Sequence, residues 1–343
     1  MILHVMTLEK FTPLFIHFVK DNFDAGKHKF TFITSPRYEF GLTEDDNAEF
    51  LFKDDDFEVL TDYMESAEKI ILHSLKRDKV HSILRNNPHL LKKCIWVMWG
   101  GDFYYPTTYN DDHLHIIENV PYLVNVLDEE IDMVRNVYNA KGKHIRSFFY
   151  NTTIFHECSM DNDIEGTEIL LGHSAVVENR HIEYMEKLAQ FIDEDIRIKC
   201  PLVYPKSNAE YRDKVIQRGR ELFGDKFIYL IDFIPLDEYL DWIDTINIAV
   251  FPSSRQHGMG NLVNLLGSRK KVFLDTRVST WSFFKRMGVT LYPLDEVNIS
   301  SLSNRVAADN NRIIKNYFSE NRLRQDLKSI FDLEVGENLE LEI

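Results

Sequence analysis

Short apolar runs alternate with amphipathic segments along almost the whole chain. The runs have the length of buried strands, and the segments between them carry apolar residues at helical spacing. In the first half, this pattern predicts strands at residues 2–6, 29–34, 69–75, 94–98 and 145–150, and helices at 13–23, 78–86 and 121–138. Buried strands separated by helices are typical of a parallel sheet that is covered on both faces.

The alternation stops in a polar, acidic stretch, residues 151–167, and then begins again. The second series predicts strands at residues 168–171, 196–203, 227–232, 246–251, 271–274 and 289–292. Helices are expected at 179–192, 208–223, 236–243, 260–266 and 280–287, followed by a charged helical segment at 302–331. We interpret the stretch at 151–167 as the connection between two domains.

Two such series of about 150 residues each predict an α/β protein with two Rossmann-like, doubly wound domains. The expected boundaries are 1–155 for the first domain, 165–315 for the second and 316–343 for a helical tail. Ligands bind outside the carboxyl ends of the strands in such sheets. We therefore expect the two domains to face each other across a cleft.

The net charge and the cysteines indicate which classes of binding partner and which cellular compartment are favoured. The net charge is −15, which disfavours nucleic-acid binding but allows a local basic pocket for one nucleotide. Cys94, Cys158 and Cys200 are widely spaced and form no CxxC motif, which favours buried, reduced thiols in a reducing compartment. The first residues, MILHVMTLEKF, lack the basic region of a signal peptide, and no run of 18 apolar residues occurs. Any membrane contact is therefore expected to be peripheral.

Several common enzyme motifs are missing from the chain. Without GxGxxG after the first strand, GxxxxGK[ST] or GxSxG, a dinucleotide-binding dehydrogenase, a P-loop ATPase and a serine hydrolase are disfavoured. The Gly-Gly-Asp sequence ending at Asp102 is not a DxD motif, and no pair of histidines has helical ligand spacing with a third partner. We therefore expect neither a metal site nor a cofactor.

The segment WVMWGGDFYY, residues 96–105, follows a predicted strand and places Asp102 at the carboxyl edge of the sheet. Asp102 could act as a general base toward an acceptor hydroxyl, and the three aromatic residues that follow it, at 103–105, could stack on a sugar. The alternative is that Asp102 caps the turn that follows the strand. His73, at the end of another strand, is a weaker candidate because a lone histidine is more often structural.

Two segments of the second domain are suited to a phosphate group. Gly172, His173 and Ser174 follow a predicted strand, and Asn179 lies shortly beyond them. In FPSSRQHGMGNL, residues 251–262, a strand leads into a polar loop and then a helix. That segment contains Arg255, Gln256, Gly258, Gly260 and Asn261. A diphosphate would meet a helix N-terminus and a guanidinium there, although an ordinary β–α loop would have a similar sequence. Tyr204, at the end of another strand, could pack on a base or be structural.

Five of these segments, in this order, resemble the bacterial TDP-N-acetylfucosamine:lipid II N-acetylfucosaminyltransferase family, which is 4-alpha-L-fucosyltransferase-like and forms glycosyltransferase family 56. The matching sequences are Leu-His-Ser at 72–74, Trp-Gly-Gly-Asp-Phe-Tyr at 99–104, and Ile-Leu-Leu-Gly-His-Ser at 169–174 with Asn179 and His181. The others are a Pro, Tyr, Asn, Tyr series at positions 201, 204, 208 and 211, and Arg-Gln-His-Gly-Met-Gly at 255–260. The pair of glutamates that many retaining enzymes of this fold carry along the following helix is absent.

The resemblance implies a metal-independent GT-B glycosyltransferase with a TDP-sugar donor. It also implies a polyprenyl-diphosphate-linked saccharide acceptor and a cytoplasmic location, peripheral on the inner face of the inner membrane. Asp102 would be catalytic, and His73, Trp99 and Tyr104 would face the acceptor. The donor-facing residues would be Gly172, His173, Ser174, Asn179, Tyr204, Arg255, Gln256, Gly258, Gly260 and Asn261. Two alternatives are a non-catalytic glycan-binding or sugar-nucleotide-binding relative and a sugar-nucleotide epimerase of the same fold.

Overall fold

The computed structural model describes residues 1–157 and 166–336, which form two compact units. The first unit contains Met1–Thr152 together with the segment that begins at Glu320. The second unit is Thr153–Ser319. Each unit is built around one parallel sheet with helices, so the predicted α/β class is confirmed.

The first unit holds a seven-stranded parallel sheet with the order β3-β2-β1-β4-β5-β6-β7. Its strands are β1 Ile2–Met6, β2 His28–Phe32, β3 Glu49–Phe50, β4 Lys69–His73, β5 Cys94–Val97, β6 Tyr122–Val124 and β7 Lys143–Ile145. The connecting helices are α1 Thr12–Asn22, α2 Asp56–Ser66, α3 Asp78–Asn86, α4 Pro88–Leu91, α5 Asp111–Asn119 and α6 Asp128–Tyr138. Strands β1, β4 and β5 are buried at every residue, which explains their mostly apolar sequences.

The second unit holds a six-stranded parallel sheet with the order β10-β9-β8-β11-β12-β13. Its strands are β8 Thr167–Leu171, β9 Ile196–Pro201, β10 Phe227–Leu230, β11 Ile248–Phe251, β12 Lys271–Leu274 and β13 Tyr292–Pro293. Its helices are α7 His181–Leu188, α8 Ala209–Phe223, α9 Leu236–Asp244, α10 Met259–Gly267, α11 Ser279–Arg286 and α12 Asn304–Tyr317. In both sheets the strand order reverses beside the first strand of the unit. Doubly wound sheets bind ligands at this point, outside the carboxyl ends of the strands.

Three predicted elements were wrong in the structure. Residues 121–138 do not form one helix, because Tyr122–Val124 pairs as strand β6 and the Asn125 side chain accepts the Leu127 amide in a turn before α6. Strand β7 ends at Ile145, and the predicted continuation to residue 150 leaves the sheet through Phe149, whose φ is +55°. The last strand is only Tyr292–Pro293 rather than residues 289–292.

The C-terminal segment divides into two helices that belong to different units. Helix α12 closes the second unit, whereas α13, Glu320–Phe331, belongs to the first. The Lys69 ammonium group donates to the carbonyls at the end of α13, with 2.6 Å to Leu333, and the Phe331 ring lies 4.6 Å from His28. The described part of the expected tail, residues 316–336, therefore contains the end of α12 and a helix that is part of the first unit, and residues 337–343 lie outside the described residues.

Two further expectations concern the cysteines and the membrane. Cys94 and Cys200 are buried, free thiols, and burial raises the pKa of both. Cys158 lies outside the described residues. Within residues 1–157 and 166–336, no helix combines the length and the apolar character that crossing a bilayer requires.

Candidate active site

The loops after β1, β4 and β5 meet at the carboxyl edge of the first sheet, because these three parallel strands are neighbours. The loop after β5 carries Trp99, Asp102 and Tyr104, and His73 ends β4. All four residues that the sequence assigns to the acceptor side therefore lie at or just beyond this edge.

Asp102 lies inside this edge and is fully buried. Its Oδ1 accepts from the Ser74 hydroxyl at 2.6 Å, and its Oδ2 accepts from the Trp96 indole at 3.0 Å and from the Trp99 amide at 3.1 Å. The Leu75 amide donates to it as well. Burial raises the pKa of the Asp102 carboxyl, and these donors act in the opposite direction.

The contacts of Asp102 fit the turn-capping alternative well, because the carboxylate ties the loop after β5 to the loop after β4. A raised pKa is also common among catalytic carboxylates, and the general-base role of Asp102 stays a prediction. To receive a proton from a substrate, this carboxylate would first have to release one of its donors.

His73 is buried, and both of its ring nitrogens have partners. Its Nδ1 lies 2.8 Å from the Tyr150 hydroxyl, and its Nε2 lies 3.0 Å from Nδ1 of His4. His4 continues to His28 through a 2.9 Å contact. Burial lowers the pKa of His73 to about 3 and that of His28 to about 4, so both imidazoles are neutral near pH 7. The buried His73 ring therefore contacts the half-buried Tyr150, and Tyr150 is the more exposed of the two side chains at this edge.

Trp99 is half-buried and lies among other aromatic rings. Its indole N–H donates to the Tyr150 hydroxyl at 3.0 Å, and its ring lies 5.0 Å from that of Phe11. The Lys76 ammonium group lies 5.1 Å from the centre of the Trp99 ring. The Tyr104 hydroxyl donates to the Glu130 carboxylate at 2.7 Å, and this hydrogen bond ties the loop after β5 to helix α6.

Four residues at this edge were not predicted as site residues: Glu9, Phe11, Lys76 and Tyr150. They follow the ends of β1, β4 and β7 by three to five residues. The order of the strands supplies the signal that could have found them, since β1 and β4 are central strands of a doubly wound sheet.

In the second unit, the loop after β8 depends on Gly172. Its φ is +71°, and a Cβ atom placed on it would lie 2.5 Å from Nε2 of His181. The Gly172 amide donates to the Val250 carbonyl at 2.9 Å, which joins the start of the loop after β8 to strand β11. The Asn179 side chain donates to the Ser174 carbonyl at 2.7 Å and closes the loop.

The loop after β11 packs directly on the loop after β8. The His173 ring stacks parallel to Phe251 at 6.1 Å and lies 5.0 Å from His257. Gly258, with φ of +66°, precedes α10, and a Cβ atom there would lie 3.1 Å from the His173 ring. The structure therefore brings the two predicted phosphate-binding segments together at the carboxyl edge of the second sheet.

Arg255 lies in the loop that leads into α10. Its Nε is 3.6 Å from a carboxylate oxygen of Glu178, in the turn before α7. His257 next to it is neutral near pH 7, because burial lowers its pKa to about 4, and its Nδ1 lies 3.0 Å from the Ser253 hydroxyl. An arginine in the loop that leads into a nine-residue helix is suited to a phosphate anion at the start of that helix.

The other predicted donor residues surround this loop. The Tyr204 side chain is 47% exposed, and its carbonyl accepts the Ala175 amide at 2.6 Å. Gln256 is half-buried between Arg255 and His257. Gly260 and Asn261 lie in the first turn of α10, and the Asn261 side chain donates to Tyr239 at 3.0 Å. No group of three or more histidines, cysteines and acidic residues suited to a metal ion occurs among the described residues.

Residues 58–304 match the family described as 4-alpha-L-fucosyltransferase, glycosyl transferase group 56. The match covers well over half of the chain. The protein belongs to glycosyltransferase family 56. The predicted resemblance is thereby confirmed, and so is the expectation that this family 56 protein is a glycosyltransferase.

Solved structures support the fold of the family 56 chain. HepE of Anabaena, solved with UDP and glucose, superposes with a TM-score of 0.72 at 10% identity, covering 96% of this chain and 98% of that one. The sucrose-phosphate synthase of Thermosynechococcus elongatus gives 0.65 at 12% identity, with 96% and 98% covered. WaaG, a glycosyltransferase of lipopolysaccharide biosynthesis, gives 0.54 at 7% identity, with 97% and 96% covered. These neighbours have the GT-B fold, and they confirm the predicted fold class.

Proposed function

We propose that this glycosyltransferase moves an N-acetylated deoxyhexosamine, of the 4-acetamido-4,6-dideoxygalactose type, from a TDP-sugar to a polyprenyl-diphosphate-linked saccharide. The reaction would serve the synthesis of a surface polysaccharide: enterobacterial common antigen, O-antigen or capsule. It would take place at the cytoplasmic face of the inner membrane, with the enzyme bound peripherally. Membership of family 56 supports this choice of chemistry.

The donor site carries the proposal. The loops after β8 and β11 touch each other, and together they present Arg255, the start of α10 and the glycine at 172. The first amides of a helix lack partners within the helix and carry partial positive charge, so they attract a diphosphate. HepE, which has the same fold, has been solved with UDP and with UDP-glucose, in line with a nucleotide-sugar donor at such a site.

In this proposal the charge that develops on the leaving diphosphate is stabilised by Arg255 and by the first amides of α10. The exposed Tyr204 ring packs on the base of the nucleotide, and the backbone of Gly172–Ser174 approaches the phosphates closely. None of these contributions requires a metal ion.

Binding of nucleoside diphosphates tests the donor class. At a TDP concentration of about 100 times its Kd, we expect unfolding of the second unit to shift upward by about 5–10 °C, because TDP binds the folded state only. UDP, GDP and ADP at the same concentration should shift it less. A larger shift with UDP than with TDP would contradict the proposed donor while leaving the family assignment intact.

A further inference from the structure

Two carboxylates at the carboxyl edge of the first sheet, those of Asp102 and Glu9, have different surroundings. Asp102 is fully buried and accepts hydrogen bonds from Ser74, Trp96 and Trp99. The Glu9 side chain is 22% exposed, and its Oε1 lies 3.4 Å from the ammonium group of Lys76. A general base must come within hydrogen-bonding distance of the proton that it takes, and the partly exposed Glu9 carboxylate can approach a hydroxyl group without losing a buried partner.

The backbone of Glu9 is held in place while its side chain extends from the edge. The Thr12 hydroxyl donates to the Glu9 carbonyl at 2.8 Å and accepts the Glu9 amide at 3.1 Å. Thr12 is buried and begins helix α1, so this pair of bonds fixes the loop after β1. A carboxylate on an anchored backbone can be oriented toward a substrate at small entropic cost.

An aromatic surface lies beside the Glu9–Lys76 ion pair. Lys76 lies over the Trp99 ring, and Phe11 contacts both Trp99 and, at 4.7 Å, Tyr150. Trp99, Phe11 and Tyr150 are all half-buried residues. Aromatic rings bind apolar faces of ligands, and the adjacent charged pair offers both a hydrogen-bond acceptor and donors to hydroxyl groups. Together they are suited to one ring of a saccharide.

We propose that Glu9 is the catalytic base of the transfer, a role that rests on the proposed position of the acceptor at this edge. The oxygen of the acceptor hydroxyl forms a bond to the anomeric carbon of the donor sugar. The bond from that carbon to the diphosphate breaks, and its electron pair leaves with the nucleoside diphosphate. The proton of the hydroxyl moves to the Glu9 carboxylate and from there to solvent. Lys76 orients the carboxylate, and Asp102 acts as a positioning residue for the loop that carries Trp99.

The substitution Glu9→Gln tests this role, since it keeps the shape of the side chain and removes its basic oxygen. We expect kcat to fall about 100-fold or more, with the KM for the TDP-sugar changed less than twofold and thermal unfolding unchanged. Glu118→Gln is the matched control. Glu118 also pairs with a lysine, Lys141 at 2.9 Å, but it lies at the opposite edge of the first sheet, and kcat should stay at the wild-type value.

Chemical rescue separates the loss of a base from the loss of structure. In Glu9→Ala, added formate should restore part of kcat, because it supplies a carboxylate in the vacated space, whereas chloride should not. Wild-type kcat in Glu9→Gln would overturn the role of Glu9 alone. So would an inactive, folded Asp102→Asn beside an active Glu9→Gln. If the wild-type enzyme does not transfer sugar to the lipid-linked saccharide in the same assay, the proposed function fails, and the Glu9 proposal fails with it.

Discussion

Replacing Arg255 by alanine is expected to lower kcat/KM for the nucleotide sugar by about 10²–10³-fold. Arg255 lies in the loop that leads into α10, and its Nε is 3.6 Å from a carboxylate oxygen of Glu178, so the guanidinium has a charged neighbour before the donor binds. Its loss would remove a positive charge from the proposed site of the donor diphosphate. Steady-state kinetics with the TDP-sugar as the varied substrate would measure the effect.

Two further substitutions make the Arg255 result specific. Arg218→Ala removes an arginine that also pairs with glutamates, Glu186 and Glu221, but on the surface of α8, and it should leave kcat/KM unchanged. Arg255→Lys should recover only part of the activity, because an ammonium group cannot form the two parallel hydrogen bonds of a guanidinium. If Arg255→Ala remained within twofold of wild type, the guanidinium would not contact the donor.

The second large effect is on stability rather than on turnover. Asp102→Ala is expected to lower the free energy of unfolding of the first unit by about 3 kcal/mol or more, because it leaves several buried donors, among them Ser74, Trp96 and Trp99, without an acceptor. Urea denaturation followed by tryptophan fluorescence would report the change, since Trp96 and Trp99 both contact this carboxylate. Asp54→Ala, at a side chain that is 88% exposed, should have little effect. An equally stable Asp102→Ala would show that the carboxylate does not hold the loop.

The local sequence pattern was sufficient to predict those elements whose position in the fold favours the same secondary structure as their own sequence. Strands β1 and β12 are short, mostly apolar runs inside a sheet, and helix α3 lies between a predicted strand and the Asn-Pro pair at 87–88. The prediction was wrong at 121–138, where Tyr122–Val124 could extend a helical pattern and only pairing with β5 and β7 makes it a strand. Helix α13 packs on the first unit because Lys69 donates to carbonyls at its end and Phe331 packs on His28. These residues are far apart in sequence, so the local pattern could not predict the contacts.

The same distinction applies to the candidate site. The sequence predicted two segments suited to a phosphate group, around Gly172 and Gly258, and the structure brings these segments together, with a positive φ at both glycines. It could not predict the burial of Asp102, because the Ser74 partner comes from the loop of a neighbouring strand. Glu9 was overlooked for a related reason. A single glutamate after a strand carries no motif, and its significance comes from Lys76 and the rings that the strand order places beside it.

Hydrogen–deuterium exchange in the presence of TDP tests the central claim most directly, since it locates the diphosphate without any substitution. The account predicts slower exchange at the amides of residues 172–175 and 258–261, with little change in the loop after β5 at 99–104. Protection confined to the first unit, or no protection in either loop of the second unit, would contradict it.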